Sequence, residues 1–325
     1  MGHKINRREF FKKSTKIGVT ALGASVLPNV MSGTLNVYGQ DKIDIAVTTG
    51  SDYYKNTAEA VELLGGIKKF VPKDAKVAIL PNVQRWHPGT FTKAEIVRAV
   101  VRMCKEAGAK EVNCLSWLEM DNWEATKLDV MLKEEGANLK LIAGEEANFL
   151  PVKVAPGKSL KEAMILKEFY NNDVFINLPI TKDHAGNKFT GTLKNHMGLN
   201  YRVNNRTFHK EGWRTVPSDI QFLDQCIADL NTVIMPTLNI VDATEFITTN
   251  GPMGPGKVIK PQKVVAGLDR VAIDSYCCTL WGLKAEDIFT IKAAAAHGLG
   301  QMDLSKVTIK EIKVKEGSSL NKIFI

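Results

Sequence analysis

The stretch that decides the fold is KVAILPNVQRWHPGTFTKAEIVRAVVRMCKEAGAKEVNCLS, which spans residues 76–116. It begins with a short apolar run, Lys76–Leu80, that is typical of a buried strand and stops at a proline. Apolar residues then recur at three- and four-residue steps over Lys93–Glu106, which predicts an amphipathic helix ended by Gly108. A second strand-like run follows at Glu111–Ser116. Strand, helix and strand in this order predict a βαβ unit with two parallel strands.

The same alternation of strand and helix patterns continues on both sides of this stretch. We predict an α/β fold in which a mostly parallel sheet, built from βαβ units, is flanked by helices. Pro151 and the pair Pro156-Gly157 interrupt the alternation, so we expect a boundary between two lobes near residues 145–165. The further predicted strands are 42–48, 139–143, 173–178, 238–241 and 263–267, and the further predicted helices are 54–70, 123–135, 218–230, 270–281 and 288–297.

The beginning of the chain has the features of an export signal. Arg7 and Arg8 stand in a basic opening, and an apolar stretch of about 11 residues follows from Ile17 to Leu27. That stretch is too short to span a bilayer as a helix, which needs roughly 20 residues, so we expect no stable membrane anchor. Paired arginines are the mark of the twin-arginine route. The sequence therefore predicts that the twin-arginine translocase exports the folded chain to a periplasmic or otherwise extracytoplasmic location.

We accordingly divide the chain into a signal peptide of residues 1–39, an α/β domain of residues 40–315 and a C-terminal tail of residues 316–325. Small residues place the end of the signal at Gly39, with Ser32-Gly33 as the second option. The alternative is a basic amphipathic helix that stays on the protein, but the apolar stretch lacks the one-sided pattern of such a helix.

The positive charge of the chain lies mostly in the predicted signal. The full chain has a formal net charge of +8, and residues 1–39 hold six basic residues against one acidic residue. Subtracting their +5 leaves +3, too little for the basic surface that nucleic-acid binding requires, so we expect no nucleic-acid partner. The five cysteines show no CxxC spacing, and we expect most of them to be small buried apolar residues.

Polar residues gather in the loops that follow the predicted strands, where open α/β sheets bind their ligands. The richest segment, Thr190–Gly198, offers hydroxyls, an ammonium, an amide and an imidazole beside glycines that let the backbone approach a ligand. Such groups are suited to binding a phosphate or a carboxylate, although the residue spacing of a P-loop is absent. An ordinary capped loop with solvated lysines explains the segment equally well. The residues predicted to bind a small anionic ligand are Asn82, Lys182, Thr190, Asn195, Asn250 and Gly251.

Two further roles are predicted for residues of the same loops. Lys194 and Asp242 are the candidate catalytic residues, the first to neutralise charge and the second to act as a base or to bind a metal. A divalent metal is a candidate cofactor, with nitrogen and oxygen ligands from His184, His196 and Asp274. No HExxH or HxH pair is present, and a single histidine is more often a hydrogen-bonded structural residue.

A family resemblance is visible in two segments, which are FINLPITKDH at residues 175–184 and TGTLKNHMG at residues 190–198. Together with IVDA at 240–243, NGP at 250–252 and AGLDRVAID at 266–274, they resemble the signature of the domain-of-unknown-function 362 family, in an order that covers the α/β domain. The resemblance implies an α/β fold and a site in these loops, but no established reaction. Many members of that family carry a ferredoxin-like cysteine cluster. This chain lacks one, so the resemblance implies no iron–sulfur cluster here.

Two functions from different classes remain open. The first is an enzyme, or a descendant of one, that binds a small anionic ligand in these loops. The second is a non-catalytic binding or maturation partner of an exported redox enzyme. Convergence of the predicted side chains in one pocket would favour the first. An exposed apolar surface beside a poorly formed pocket would favour the second, and its candidate residues are Trp86, Trp117, Trp123 and Trp213.

Overall fold

The strands and helices are those of a computed structural model, which describes residues 43–315 of the chain. The strands are β1 Ile45–Thr49, β2 Lys76–Pro81, β3 Glu111–Ser116, β4 Asn138–Leu141, β5 Phe149–Lys153, β6 Glu162–Leu166, β7 Val174–Leu178, β8 Lys182–His184, β9 Lys188–Thr190, β10 Leu238–Ala243, β11 Phe246–Ile247, β12 Val258–Ile259, β13 Lys263–Gly267 and β14 Ile309–Lys313. The α-helices are α1 Tyr53–Leu63, α2 Ala94–Glu106, α3 Met120–Thr126, α4 Leu128–Glu134, α5 Thr192–Asn195, α6 Arg202–Phe208, α7 Pro217–Leu230, α8 Arg270–Thr279 and α9 Phe289–Ala296.

Eight of these strands form one sheet, in the order β14-β1-β13-β10-β7-β2-β3-β4. Strand β13 runs antiparallel to both of its neighbours, β1 and β10, and all other neighbouring pairs in this sheet are parallel. The predicted α/β fold with a mostly parallel sheet is therefore confirmed. The βαβ unit predicted over residues 76–116 is present as β2, α2 and β3.

The chain changes direction within the sheet between β2 and β7. From β2 it proceeds to β3 and β4 at one edge, and it then returns to β7, on the other side of β2, and continues to β10. The chain therefore leaves the carboxyl ends of β2 and β7 toward opposite edges of the sheet. Such a change of direction is where open α/β sheets bind ligands.

Each face of the sheet is covered by its own group of helices. Side chains alternate along β2, so that Val77 and Ile79 enter one apolar core, whereas Ala78 and Leu80 enter the other. Helices α1–α4 complete the first core, and α5–α9 complete the second. Burial of these apolar side chains is the main favourable contribution to folding. All five cysteines are buried and free, as expected of small apolar residues.

Two predicted helices differ from the structure, and the backbone shows why. The predicted helix 54–70 ends at Leu63, because Gly65 and Gly66 adopt φ of 101° and 79°, which terminates a helix. The predicted helix 123–135 is two helices, α3 and α4, which meet at Lys127 with a φ of 57°.

Short strands occupy segments for which the sequence predicts no regular structure. Strands β5 and β6 form an antiparallel hairpin at the expected lobe boundary, residues 145–165. Residues 43–315 belong to one compact unit, and the lobe boundary stays a prediction from the sequence. Strands β8 and β9 form a second hairpin, which is followed directly by α5 in the predicted ligand-binding segment Thr190–Gly198.

The predicted signal peptide and the predicted C-terminal tail lie outside the described residues. The export route therefore stays a prediction. Between residues 43 and 315, no helix has both the length and the apolar character that crossing a membrane requires.

Candidate functional site

A cavity of about 360 Å³ opens at the carboxyl ends of β2, β3 and β7. Its walls come from the loops that follow these strands, from the β8–β9 hairpin and from α5 and α6. Of the residues predicted from the sequence, the cavity brings together Asn82, Lys182, His184, Thr190, Lys194 and Asn195. The convergence that the ligand-binding hypothesis requires is therefore present in the geometry.

The β8–β9 hairpin places three of these side chains. Lys182 and His184 are two residues apart on β8 and therefore point to the same side, and Lys182 pairs with Thr190 across the hairpin. The hairpin turn needs a glycine at Gly186, where φ is 79° and a Cβ would collide with the carbonyl oxygen of Trp213. Thr190 is buried, and its hydroxyl has no hydrogen-bond partner among the described residues.

Lys182 is fully buried but has no carboxylate partner. Its Nζ donates hydrogen bonds to the carbonyl oxygen of Thr90 at 2.6 Å and to Oδ1 of Asn82 at 3.1 Å. An ammonium has three protons, so the third is left for a ligand. Burial is the main cause that lowers the pKa of Lys182 to about 7, and the charges of Lys194 and Arg85 are smaller contributors to the same value.

A chain of asparagine amides fixes the orientation of Asn82. Its Nδ2 donates to Oδ1 of Asn195 at 3.1 Å, and Nδ2 of Asn195 donates to Oδ1 of Asn177 at 2.8 Å. Asn177 in turn donates to Oδ1 of Asn239 at 3.1 Å. Because each Nδ2 is used as a donor toward the sheet, Oδ1 of Asn82 is the atom that faces Lys182. Asn82 and Asn195 thus position the lysine.

The second cation of the cavity, Lys194, lies on the short helix α5. The carboxylate of Asp274 holds the start of this helix, because it accepts hydrogen bonds from the amide and hydroxyl of Thr192 and from the amide of Leu193. Gly191 precedes the helix, and a Cβ there would overlap Oδ1 of Asp274. Burial raises the pKa of Asp274 to about 7, although the donors from Thr192 and Leu193 oppose that rise.

Lys194 has no strong hydrogen-bond acceptor nearby. Its hydrogen-bond contact among the described residues is with Sδ of Met197 at 4.0 Å. Burial lowers the pKa of Lys194 to about 8, and the charge of Asp224 acts in the opposite direction. Within the described part of the chain, neither Lys182 nor Lys194 has a carboxylate oxygen within 4 Å.

Two histidines also line the cavity, one of which no sequence pattern indicates. Nδ1 of His184 lies 2.6 Å from the carbonyl oxygen of Ala185, and Nδ1 of His209 lies 2.9 Å from that of Asn205. Both rings contact Trp213, with centroid separations of 5.4 and 4.9 Å. Burial lowers the pKa of His184 well below its ordinary value and that of His209 to about 4, and the charge of Lys194 contributes to both shifts.

The cavity lining contains cations but no carboxylate. Besides the two lysines, α6 contributes Arg202 and Arg206, which are four residues apart and therefore share one face of that helix. Both arginines are exposed, whereas the lysines lie deeper. Sequence reasoning missed these arginines and His209, because α6 has no apolar periodicity that marks it as a helix.

Three of the residues predicted for catalysis or ligand binding lie outside the cavity lining. Asp242 is fully buried, and its carboxylate accepts hydrogen bonds from the amide of Lys93 at 2.9 Å and from the hydroxyl of Thr244 at 2.6 Å. It therefore fixes the start of α2. The amide of Gly251 donates to the carboxylate of Asp183 and anchors the β8 strand, while Asn250 is exposed and donates to Pro255.

The predicted metal ligands are not brought together as one site. His184 lines the cavity, Nδ1 of His196 hydrogen-bonds Asn231, and Asp274 holds α5. Over residues 43–315, no group of three or more histidine, cysteine, aspartate and glutamate side chains has an arrangement that could hold a metal ion. The divalent metal therefore stays a prediction from the sequence.

Comparison with known proteins identifies the family. The family model described as "Domain of unknown function (DUF362)" matches residues 77–279, which is more than half of the chain. The chain belongs to the DUF362 family. The family predicted from the sequence is thereby confirmed.

Two known proteins resemble this DUF362 chain. A thylakoid-associated protein of a Synechocystis strain is 26% identical over 246 residues, which cover 74% of this chain and 73% of that protein. The lactate racemase apoprotein from Thermoanaerobacterium thermosaccharolyticum has a TM-score of 0.44 and 13% sequence identity, over 74% of this chain and 57% of that chain. The chain thus spans little more than half of that structure, and a likeness at this level indicates nothing about function.

Proposed function

We propose that this DUF362 chain binds a small anion in the cavity at the carboxyl ends of β2, β3 and β7. The observation that carries the proposal is the composition of the lining, which holds Lys182, Lys194, Arg202 and Arg206 and no aspartate or glutamate. The anion is either an inorganic oxyanion or an organic molecule that bears a carboxylate or phosphate group.

The state of the two lysines supports this proposal. A buried ammonium is ordinarily stabilised by a carboxylate, because removal from water disfavours its charge. Lys182 has two neutral oxygen partners instead, and Lys194 has a thioether. Burial lowers the pKa of Lys182 to about 7 and that of Lys194 to about 8. An anion in the cavity would supply the missing negative charge and restore both values toward the ordinary range.

The two arginines extend the positive field to the cavity mouth. Arg202 and Arg206 are exposed, so water screens their attraction for an anion that is already bound. Exposed charges of one sign nevertheless raise the local concentration of an oppositely charged ligand and speed its association. We therefore assign the arginines to capture of the anion, and the lysines to its retention.

The alternative, a binding partner of an exported redox enzyme, called for an exposed tryptophan surface. Trp123 is fully buried, and Trp117 and Trp213 pack against the apolar core. Trp86 is 47% exposed. One exposed tryptophan does not make an apolar docking surface, whereas the predicted polar residues do converge in a pocket. The ligand-binding function is therefore the one we propose.

Isothermal titration calorimetry of the full chain tests this function with phosphate, acetate, succinate and citrate as probes. We expect at least one of them to bind with a Kd in the millimolar range or below, and Lys194→Met to weaken it by about tenfold or more. The matched control is Lys284→Met, which removes an exposed ammonium outside the cavity lining. Absence of binding by all four probes, or equal binding by wild type and by both Lys182→Met and Lys194→Met, would contradict the proposal.

We also propose that the chain is exported by the twin-arginine translocase. The support is the paired Arg7 and Arg8 ahead of a short apolar stretch. Cell fractionation provides the test: the wild-type chain should occur outside the cytoplasm, and the double variant R7K/R8K should accumulate inside it. A wild-type chain that remains in the cytoplasm would refute this location.

A further inference from the structure

Two histidines, His184 and His209, line the same cavity as the lysines, and each has one ring nitrogen without a hydrogen-bond partner among the described residues. In each ring Nδ1 faces a backbone carbonyl oxygen and therefore carries a proton. In the neutral ring Nε2 then carries a lone pair, and no described residue lies within hydrogen-bonding distance of Nε2 of His184 or of His209. Both rings line the cavity, and both are held against Trp213.

These two nitrogens are acceptors and not additional cations. Burial and the neighbouring charge of Lys194 lower the pKa of both rings below the neutral range, so neither is protonated near pH 7. A neutral Nε2 without a proton forms no hydrogen bond with a carboxylate oxygen or a deprotonated phosphate oxygen, because both atoms would be acceptors. His184 is only 3% exposed, so an unpaired acceptor there costs free energy when a ligand displaces its water.

We propose that the anion taken by this cavity is a hydroxylated organic anion, with a hydroxyl group that donates a hydrogen bond to Nε2 of His184 or His209. This inference rests on the proposed anion site: the lysines hold the anionic group, and the histidines select the hydroxyl. The cavity therefore presents donors and acceptors together, which a fully deprotonated oxyanion such as sulfate, or a plain fatty acid, cannot both satisfy.

The size of the cavity is consistent with such a ligand. A volume of about 360 Å³ lies at the lower end of the range for small-molecule sites, which begins near 300 Å³. Part of the remaining wall is apolar, with Leu115, Leu118 and Met197 among its residues, and this part suits the carbon skeleton of an organic anion.

Matched pairs of anions that differ by one hydroxyl group test the inference. The pairs are glycolate and acetate, malate and succinate, and citrate and tricarballylate, titrated into the full chain by calorimetry. We expect the hydroxylated member of at least one pair to bind about fivefold to tenfold more tightly, because its partner leaves a buried acceptor unpaired. His184→Phe or His209→Phe should bring that ratio close to one, and the affinity for the member without the hydroxyl should not fall, because the variant has no unpaired acceptor.

The affinity for the member without the hydroxyl also shows that each variant is folded and retains the anion site. If His184→Phe does not fold, the affinity ratio is measured with His209→Phe, because His209 is only partly buried. His87→Phe, outside the cavity lining, is the matched control and should preserve the ratio. The inference is overturned if the wild type gives a ratio near one for every pair, or if the ratio is unchanged in both cavity variants. Either result is compatible with the proposed anion site. Absence of any anion binding would instead contradict the proposed function itself.

Discussion

Two buried polar regions of this molecule differ in how their charges are satisfied. Around Asp229, the amides of Ser159 and Leu160 and the side chains of Gln225 and His297 all donate to one carboxylate. Burial acts to raise the pKa of Asp229, but these hydrogen bonds outweigh it, and the pKa is lowered. In the cavity, by contrast, the lysine ammonium groups have no carboxylate, and burial lowers their pKa.

This difference distinguishes residues that stabilise the fold from residues of the proposed anion site. A buried charge with a complete set of hydrogen bonds is already stabilised, and it ties together the segments that supply its partners. Asp229 does this for the loop after β5, for α7 and for the helix end at His297. A buried charge with an incomplete set costs stability in the absence of a ligand and gains most from one. Lys182 and Lys194 belong to the second kind.

The largest expected effect is on stability, at the satisfied site. Asp229→Ala removes the acceptor of several buried donors, so we expect the free energy of unfolding to fall by about 3 kcal/mol or more. Chemical denaturation followed by circular dichroism measures the change. Glu286→Ala, at an exposed carboxylate, is the control and should stay within about 0.5 kcal/mol of wild type. The folded Asp229→Ala protein should still bind anions, and loss of binding without loss of stability would break the comparison.

The opposite result is expected for Lys194→Met. This change removes a desolvated ammonium that has no oxygen partner among the described residues, and it keeps a flexible side chain of similar length. In the absence of anions, the melting temperature should therefore equal or exceed that of wild type. Differential scanning calorimetry in an anion-poor buffer provides the measurement. A clear loss of stability would show that Lys194 supports the fold, and the distinction between the two regions would fail.

The anion site should also depend on pH. Because the pKa of Lys182 is about 7 and that of Lys194 about 8, both ammonium groups lose their protons between pH 6 and pH 9. An anion binds the protonated lysines, so affinity should be highest near pH 6 and fall toward pH 9, by about tenfold for each pH unit above a pKa. Sulfate is a suitable probe, since its own charge is constant over this range.

Proton uptake provides the control for this pH dependence. Binding at pH 8 should take up protons, because the anion raises the pKa of both lysines, and calorimetry in buffers of different ionisation enthalpy measures it. Lys194→Met should show a smaller uptake. An affinity that is constant from pH 6 to pH 9 would mean that these lysines do not contact the anion.

The smallest expected effect concerns the cavity mouth. Arg206→Gln removes an exposed charge, so we expect the association rate to fall by about twofold to fivefold at low salt and the dissociation rate to change little. Stopped-flow measurements at two ionic strengths distinguish the two rates, and the difference from wild type should shrink at high salt. A larger change in dissociation than in association would assign Arg206 to retention together with the lysines.

Much of the fold and part of the site could be predicted from the sequence. The periodicities of β2, α2 and β3 were sufficient because each is a long element with one consistent pattern. Lys182, Lys194 and Asn195 were predicted as site residues because loops after parallel strands meet at one edge of a sheet. Proximity at that edge is a property of chain topology, which the order of strands and helices already constrains.

The direction of individual side chains could not be predicted in the same way. Asp242 ends a strand at the correct edge, yet its carboxylate turns toward the amide of Lys93 and stays out of the cavity. Arg206 reaches the cavity from α6 and His209 from the residue after it. This helix is held by tertiary contacts, since Phe208 is buried in the apolar core and the amide of Tyr201 donates to the carbonyl oxygen of Met164. Such contacts join segments whose relative placement a single sequence does not contain.

The most direct test of the account is to locate an anion in crystals of the full chain. Selenate carries the charge of sulfate and an anomalous scatterer, so an anomalous difference map shows its position without interpretation of shape. We predict a peak in the cavity, within hydrogen-bonding distance of Nζ of Lys182 or Lys194, that disappears in crystals of Lys194→Met. Selenate bound at the protein surface with an empty cavity, or an unchanged cavity peak in the variant, would contradict the central claim.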